Sequence, residues 1–245
     1  MKRRLSRDDR QGQAKLAVVI VVSIAACLAA ALTCGGLMLL LLPEVDQARA
    51  TARRINSVGH LKQIGIALHN YHETYGSLPP AYVADESGKP LHSWRVLILP
   101  FLERSDLYDQ YDFSEPWDGP NNMVLIHERP LTYGNPQIID EDSTTTTYQA
   151  IAGPGTCFDP TVPKMTFHDI SDGTANTAMV VENFGDPVVW TQPDDTSPAD
   201  FLTGETAIGA HDGETLVMKA DTSIPVMQQK DLPQLKAWTT RAGGD

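Results

Sequence analysis

The chain has 245 residues and a mass of 26.8 kDa, room for one large domain or two small ones. A formal charge of −12 excludes a surface built to neutralise nucleic-acid phosphates, and an apolar fraction of 42% supports a packed core over disorder. Of three cysteines, Cys27 and Cys34 share one apolar run and Cys157 stands alone, which excludes a disulfide framework and a thiolate metal site.

Residues 1–15 carry Lys2, Arg3, Arg4, Arg7, Arg10 and Lys15 against Asp8 and Asp9, a net of +4. Residues 16–42 follow without a single charge, and as a helix they would rise about 40 Å against roughly 30 Å of hydrocarbon. This predicts a transmembrane helix over 16–42, with the lipid bilayer as partner and the basic residues 1–15 in the cytoplasm. From Pro43 onward, 13 basic and 29 acidic residues leave a net of −16, so an acidic domain outside the cytoplasm is expected. The protein then reads as single-pass, in the inner (cytoplasmic) membrane. Ile24-Ala25-Ala26-Cys27 has the form of a lipoprotein cleavage box, yet largely apolar residues continue past Cys27 where a polar tether would stand. An uncleaved anchor is therefore expected over lipidation at Cys27.

Over residues 43–80 the apolar positions Val45, Ala48, Ala52, Ile55, Val58, Leu61, Ile64, Leu68, Tyr71 and Tyr75 recur every three or four residues. That spacing predicts an amphipathic stalk helix, bent at Pro43 and stopped by Gly76 and Pro79-Pro80. Residues 81–245 are predicted to form the acidic extracytoplasmic domain. Within it, helices are expected over 93–111, bent at Pro100, and over 122–128. Strands are expected at 147–152, 176–182, 187–191 and 215–220. A turn falls at Ser171-Asp172-Gly173-Thr174, and residues 139–147 read as a mobile acidic loop. A last helix begins at Asp231 with Pro233 in its first turn, presents Leu232, Leu235 and Trp238 on one face, and ends before Gly243.

LKQIGIALHNYHETYGSLPP (61–80), WRVLILPFLERSDLYDQYDFSEPWDGPNN (94–122), ISDGTANTAMVVEN (170–183) and LKAWTTRAGGD (235–245) occur in that order. With these blocks the chain resembles the planctomycete-type prepilin-like, or pseudopilin-like, proteins that carry a C-terminal domain of unknown function 1559. The resemblance implies an α+β, pilin-like fold: a long N-terminal transmembrane and stalk helix packed on a small antiparallel sheet, with additional short helices. It also implies a kinship with type II secretion pseudopilins and other pilin-like subunits or envelope proteins as partners, but it supplies no biochemical activity. Two places depart from the family's pattern. Ile20-Val21-Val22 and Ala26 replace the peptidase-site Gly-Phe and the following glutamate, and His211-Asp212-Gly213-Glu214 with Ala220-Asp221-Thr222-Ser223 relax the family's turns.

The chemistry-bearing residues weigh toward structure. His69 and His72 share a helix face beside Glu73, but zinc needs a third ligand, and His60 is about 13 Å away along a straight helix. His168, Asp169, Asp172, Asn176 and Glu182 could offer oxygens to calcium, yet they lack the twelve-position loop. Residues 84–90 fail as a phosphate loop, and no nucleophile elbow or His-Glu-x-x-His occurs. Trp94, Tyr108, Tyr111, Phe113 and Trp117 are expected in a core more than in a glycan or peptide groove, with the loop 116–120 pinned by the Trp117 indole. No catalytic, cofactor or metal residue is therefore assigned. The expected function is non-enzymatic, in envelope assembly or interaction; the alternatives are a tethered binding module for a peptide or glycan and, behind it, an envelope hydrolase.

Overall fold

A computed structural model describes residues 7–137, 143–203 and 213–243. The chain divides into two compact units, Met1–Ala52 and Arg53–Asp245. Helix α1, Arg7–Tyr75, begins in the first unit and ends in the second, and Pro43 falls within it.

In the first unit the helix corrects the transmembrane expectation. Among the described residues no helix is long and apolar enough to cross a membrane. What the structure supports is a mixed α+β chain with small antiparallel sheets. The basic residues 1–6, residues 138–142 of the acidic stretch and the pair His211-Asp212 lie outside the described residues.

In the second unit, β1 (Tyr82–Ala84) and β2 (Pro90–Ser93) form a hairpin. Its tip is tied by Asp85, whose carboxylate accepts the Ser87 and Lys89 N–H groups. Ser93 caps α2 (Trp94–Leu97), its hydroxyl accepting the Arg95 N–H. A 3-10 turn at Leu99–Leu102 follows, then α3 (Ser105–Gln110). The helix expected over 93–111 is thus three pieces, because Pro100 sits at the start of the turn and Glu103 closes it with a left-handed φ of 59°. After α4 (Asn122–Leu125) come β3 (Thr145–Thr146), β4 (Tyr148–Ala150), β5 (Ala178–Glu182) and β6 (Val188–Val189). Next are α5 (Pro198–Thr203), β7 (Glu214–Lys219), β8 (Val226–Gln228) and α6 (Leu232–Trp238).

The main sheet is antiparallel in the order β4-β5-β7-β8, and β3 pairs with β6 apart from it. Side chains alternate across the main sheet. Tyr148, Ala150, Val180, Leu216 and Met218 share a core with Leu61, Ile64, Ala67 and Leu68 of α1. Val181, Val217 and Met227 join Phe201 of α5 and Leu235 of α6 on the opposite side. Covered on both faces, β5 is buried at every position, and residues 178–181 read as a continuous apolar run. Gly65 sets the helix-to-sheet distance: a Cβ there would lie 2.8 Å from Met218 Sδ and 3.0 Å from Thr222 Cγ2.

The two halves of the second unit are clasped by an enclosed ion pair. Arg95, fully buried, donates from Nη2 to Asp195 Oδ1 at 2.6 Å, from Nε to Tyr148 O, and from Nη1 to Ser93 Oγ and Gln192 O. Asp195 also accepts the Trp94 indole N–H and the Ala150 N–H. Every polar group of the pair is engaged, which is what makes its burial tolerable.

Candidate functional site

One groove on the second unit encloses about 460 Å³ between α1, the turn at Leu99–Leu102 and the 3-10 turn at Leu131–Tyr133. The first wall is helical. His60, Gln63 and Ile66 recur at a spacing of three, beside the face whose Leu61, Ile64 and Leu68 are buried in the core. The second wall is Phe101, Leu102 and Glu103, anchored by buried Leu99 beneath. The third is Leu131 and Thr132, held because the neighbouring Tyr133 is buried and its hydroxyl donates to Arg95 O at 2.7 Å.

Two bonds latch the third wall to the helix. Thr132 Oγ1 donates to Gln63 Oε1 at 2.9 Å, and His60 Nδ1 lies 2.9 Å from Gly134 O. A carbonyl only accepts, so the His60 proton resides on Nδ1 and Nε2 is left as an acceptor. Desolvation, helped by the Arg129 charge, holds the His60 pKa below its ordinary value. The bond to Gly134 and the Glu182 carboxylate work the other way. The ring is thus neutral at pH 7. Leu131 is left 88% exposed and Ile66 49% exposed, on backbone that is held in place. Tyr71 and Tyr75 stand beside Phe101, with ring centroids 6.0 and 6.3 Å from it.

The residues singled out from sequence are dispersed. His69 stacks on Phe167 at 4.2 Å, with Nε2 against Ala220 O at 2.9 Å, and His72 meets the same phenyl ring at 4.8 Å. The two histidines therefore share an aromatic neighbour, although His72 Nε2 is buried with no hydrogen-bond partner. His60 belongs to the groove instead. Among the described residues no group of three or more His, Cys, Asp and Glu is placed to hold a metal ion.

Asp169 closes a capping box with Thr166, and Asp172 Oδ2 accepts the Gly243 N–H. Glu182 is buried in β5, where Asn135 donates to it. These carboxylates do not converge on one point, and Gly173, with φ of 89°, makes the turn expected between them.

Trp94 and Tyr111 are core residues, and Tyr111, Phe113 and His92 meet edge to face at 5.0–5.5 Å. The loop before α4 is held by Asn122 and Glu115. The Asn122 amide donates to Asp112 O and Pro116 O and accepts the Asp112 N–H, while Glu115 Oε1 accepts the Asn121 and Asn122 N–H groups. Trp117 adds a backbone N–H to Leu91 O and a half-buried ring. Cys157 is buried, and desolvation pushes its thiol up to about 12 despite Arg241.

The groove itself was not foreseen. Its signal in the sequence is Ile66, an isoleucine off the apolar stripe, and Leu131, which follows Pro130 in a polar setting.

The fold and the groove define an α+β chain with a latched surface cleft. Residues 46–140 match the model of a family described as protein of unknown function (DUF1559), the domain of unknown function named in the resemblance. All eight residues lining the groove fall inside that span. No curated protein and no solved structure matches the chain.

Proposed function

We propose that the protein is a non-enzymatic assembly or interaction protein of the cell envelope, prepilin-like in its use of a long helix. The observation that carries this reading is the first unit's apolar surface. Val18, Val19, Ile20, Val21 and Val22 are consecutive, so they point to all sides of the helix, and each is at least half exposed. A helix apolar all round requires cover on every side. Copies of the same helix supply that cover, and Ala25, Ala26, Ala29 and Ala30 permit close approach.

Cys27 is exposed on this segment and Cys157 is buried, which makes the test direct. A bis-maleimide applied to a Cys34→Ser chain in native extracts is expected to join Cys27 to Cys27 of a second copy. Recovery of monomer alone, or of a monomer that only partitions into lipid vesicles, would overturn the reading.

A second reading, a binding module for a peptide or glycan, is favoured by the groove. It places an exposed leucine and isoleucine on backbone fixed by hydrogen bonds.

A further inference from the structure

We propose that the groove takes a peptide segment that sets a large apolar side chain against Ile66 and Leu131 and a lysine or arginine against Glu103. The inference rests on the binding-module reading and narrows it to one chemistry.

Glu103 is the first reason. It closes the 3-10 turn with φ of 59°, a conformation in which a Cβ is strained and glycine is the usual occupant. A glutamate there puts a carboxylate on the rim of the groove, and among the described residues nothing pairs with it. An observed backbone outlier that presents a charge to a cleft points to use of that charge.

The surrounding charges give the second reason. Arg104, next in sequence, is turned to Asp106, with bonds of 3.0 and 3.1 Å. Arg129 donates to Thr145 O. Lys62 bonds Thr222. His60 has its Nδ1 proton committed to Gly134. Among the residues that line the groove Glu103 carries the charge and no lysine or arginine answers it, in a chain of net charge −12. A cationic group is the complement. The aliphatic side chains Ile66, Leu102 and Leu131 favour a peptide's apolar residue over the flat face of a sugar.

The test uses the full chain and three short fluorescent peptides that differ only at one position between two leucines, carrying Lys, Gln or Glu. Anisotropy titration is expected to rank affinity Lys over Gln over Glu, with about fivefold between Lys and Gln, the size of one solvent-exposed ion pair. Glu103→Gly is expected to bring the Lys peptide down to the Gln peptide's affinity while melting no lower than the wild-type chain. Leu131→Asp is expected to weaken all three peptides by about tenfold or more.

Equal affinity for Lys and Gln overturns this inference and leaves the binding-module reading standing. No binding of any peptide, or binding indifferent to Leu131→Asp, removes both. A Glu103→Gly chain that melts lower, or that binds the Lys peptide as tightly as wild type, makes the carboxylate structural and overturns the inference.

Discussion

Arg95 and Glu103 stand eight residues apart on the same short run of turns and are treated in opposite ways. Arg95 is completely enclosed, and its guanidinium is spent on one carboxylate, three carbonyls and a hydroxyl. Glu103 is exposed and held in a strained backbone conformation. The difference separates polar groups that hold the fold from those left over for something else. A structural charge is surrounded until nothing remains to be satisfied, whereas the groove keeps acceptor capacity and apolar surface facing outward.

The strongest way to break the comparison is at the clasp. Asp195→Ala leaves the Arg95 charge buried without its counter-charge, and it also orphans the Ala150 N–H and the Trp94 indole. A loss of about 3–5 kcal/mol is expected, a large fraction of the roughly 5–15 kcal/mol that holds a domain together. Urea denaturation of the variant measures it. A loss below about 1 kcal/mol would mean that the pair is ornamental and that enclosure says nothing about structural weight.

A second carboxylate sharpens the same point through pH. Burial works to raise the Asp159 pKa, but hydrogen bonds from Thr161 Oγ1, the Gly155 and Thr161 N–H groups and Arg241 outweigh it and hold the acid well below its ordinary value. Its folded-state pKa lies beneath the unfolded one, so its contribution is complete above about pH 4 and fades as pH falls further. Asp195 runs the other way. Desolvation pushes it up to about 6, against the pull of Arg95, the Ala150 N–H and the Trp94 indole. The native state then binds the extra proton between about pH 4 and 6, so this group's contribution shrinks as pH rises through that window. Denaturation midpoints of wild type and Asp159→Asn, followed from pH 7 to pH 3, test the first half. The wild type is expected to lose stability more steeply below pH 4, and parallel curves would remove Asp159 from the fold-holding set.

How much of this was legible follows from where each signal is stored. Leu61, Ile64 and Leu68 announce a buried helix face because their period is local, and β5 and β7 are apolar runs bounded by turn residues. The start of α6 is likewise written in Asp231 and Pro233, although the Asp231 carboxylate turns back to the Gln228 N–H and does not cap the helix. The β1–β2 hairpin escaped because it is three and four residues long and depends on the side chain of Asp85. Thr145 and Thr146 read as loop, yet they pair with Val189 and Val188. The transmembrane expectation rests on a long uncharged run, whereas among the described residues no helix is long and apolar enough to cross a membrane. Arg95 gave no sign of burial because its partner lies 100 residues on. The groove was illegible for the same reason: its walls come from three separate segments, so only Ile66 and Leu131 hinted at it.

The smallest expected effect is on the groove side of the comparison. Leu131 contributes almost no burial to the folded chain, and its backbone is fixed by Tyr133, Thr132 and the His60 latch whatever side chain it carries. Leu131→Asp should therefore change folding stability by no more than about 0.5 kcal/mol, the ordinary range for a surface position. The same urea titration that reports on Asp195 measures it. An apolar residue whose removal costs nothing in folding is kept for what it meets in solution. A drop of 2 kcal/mol or more would instead return Leu131 to the core and close the distinction between the two regions.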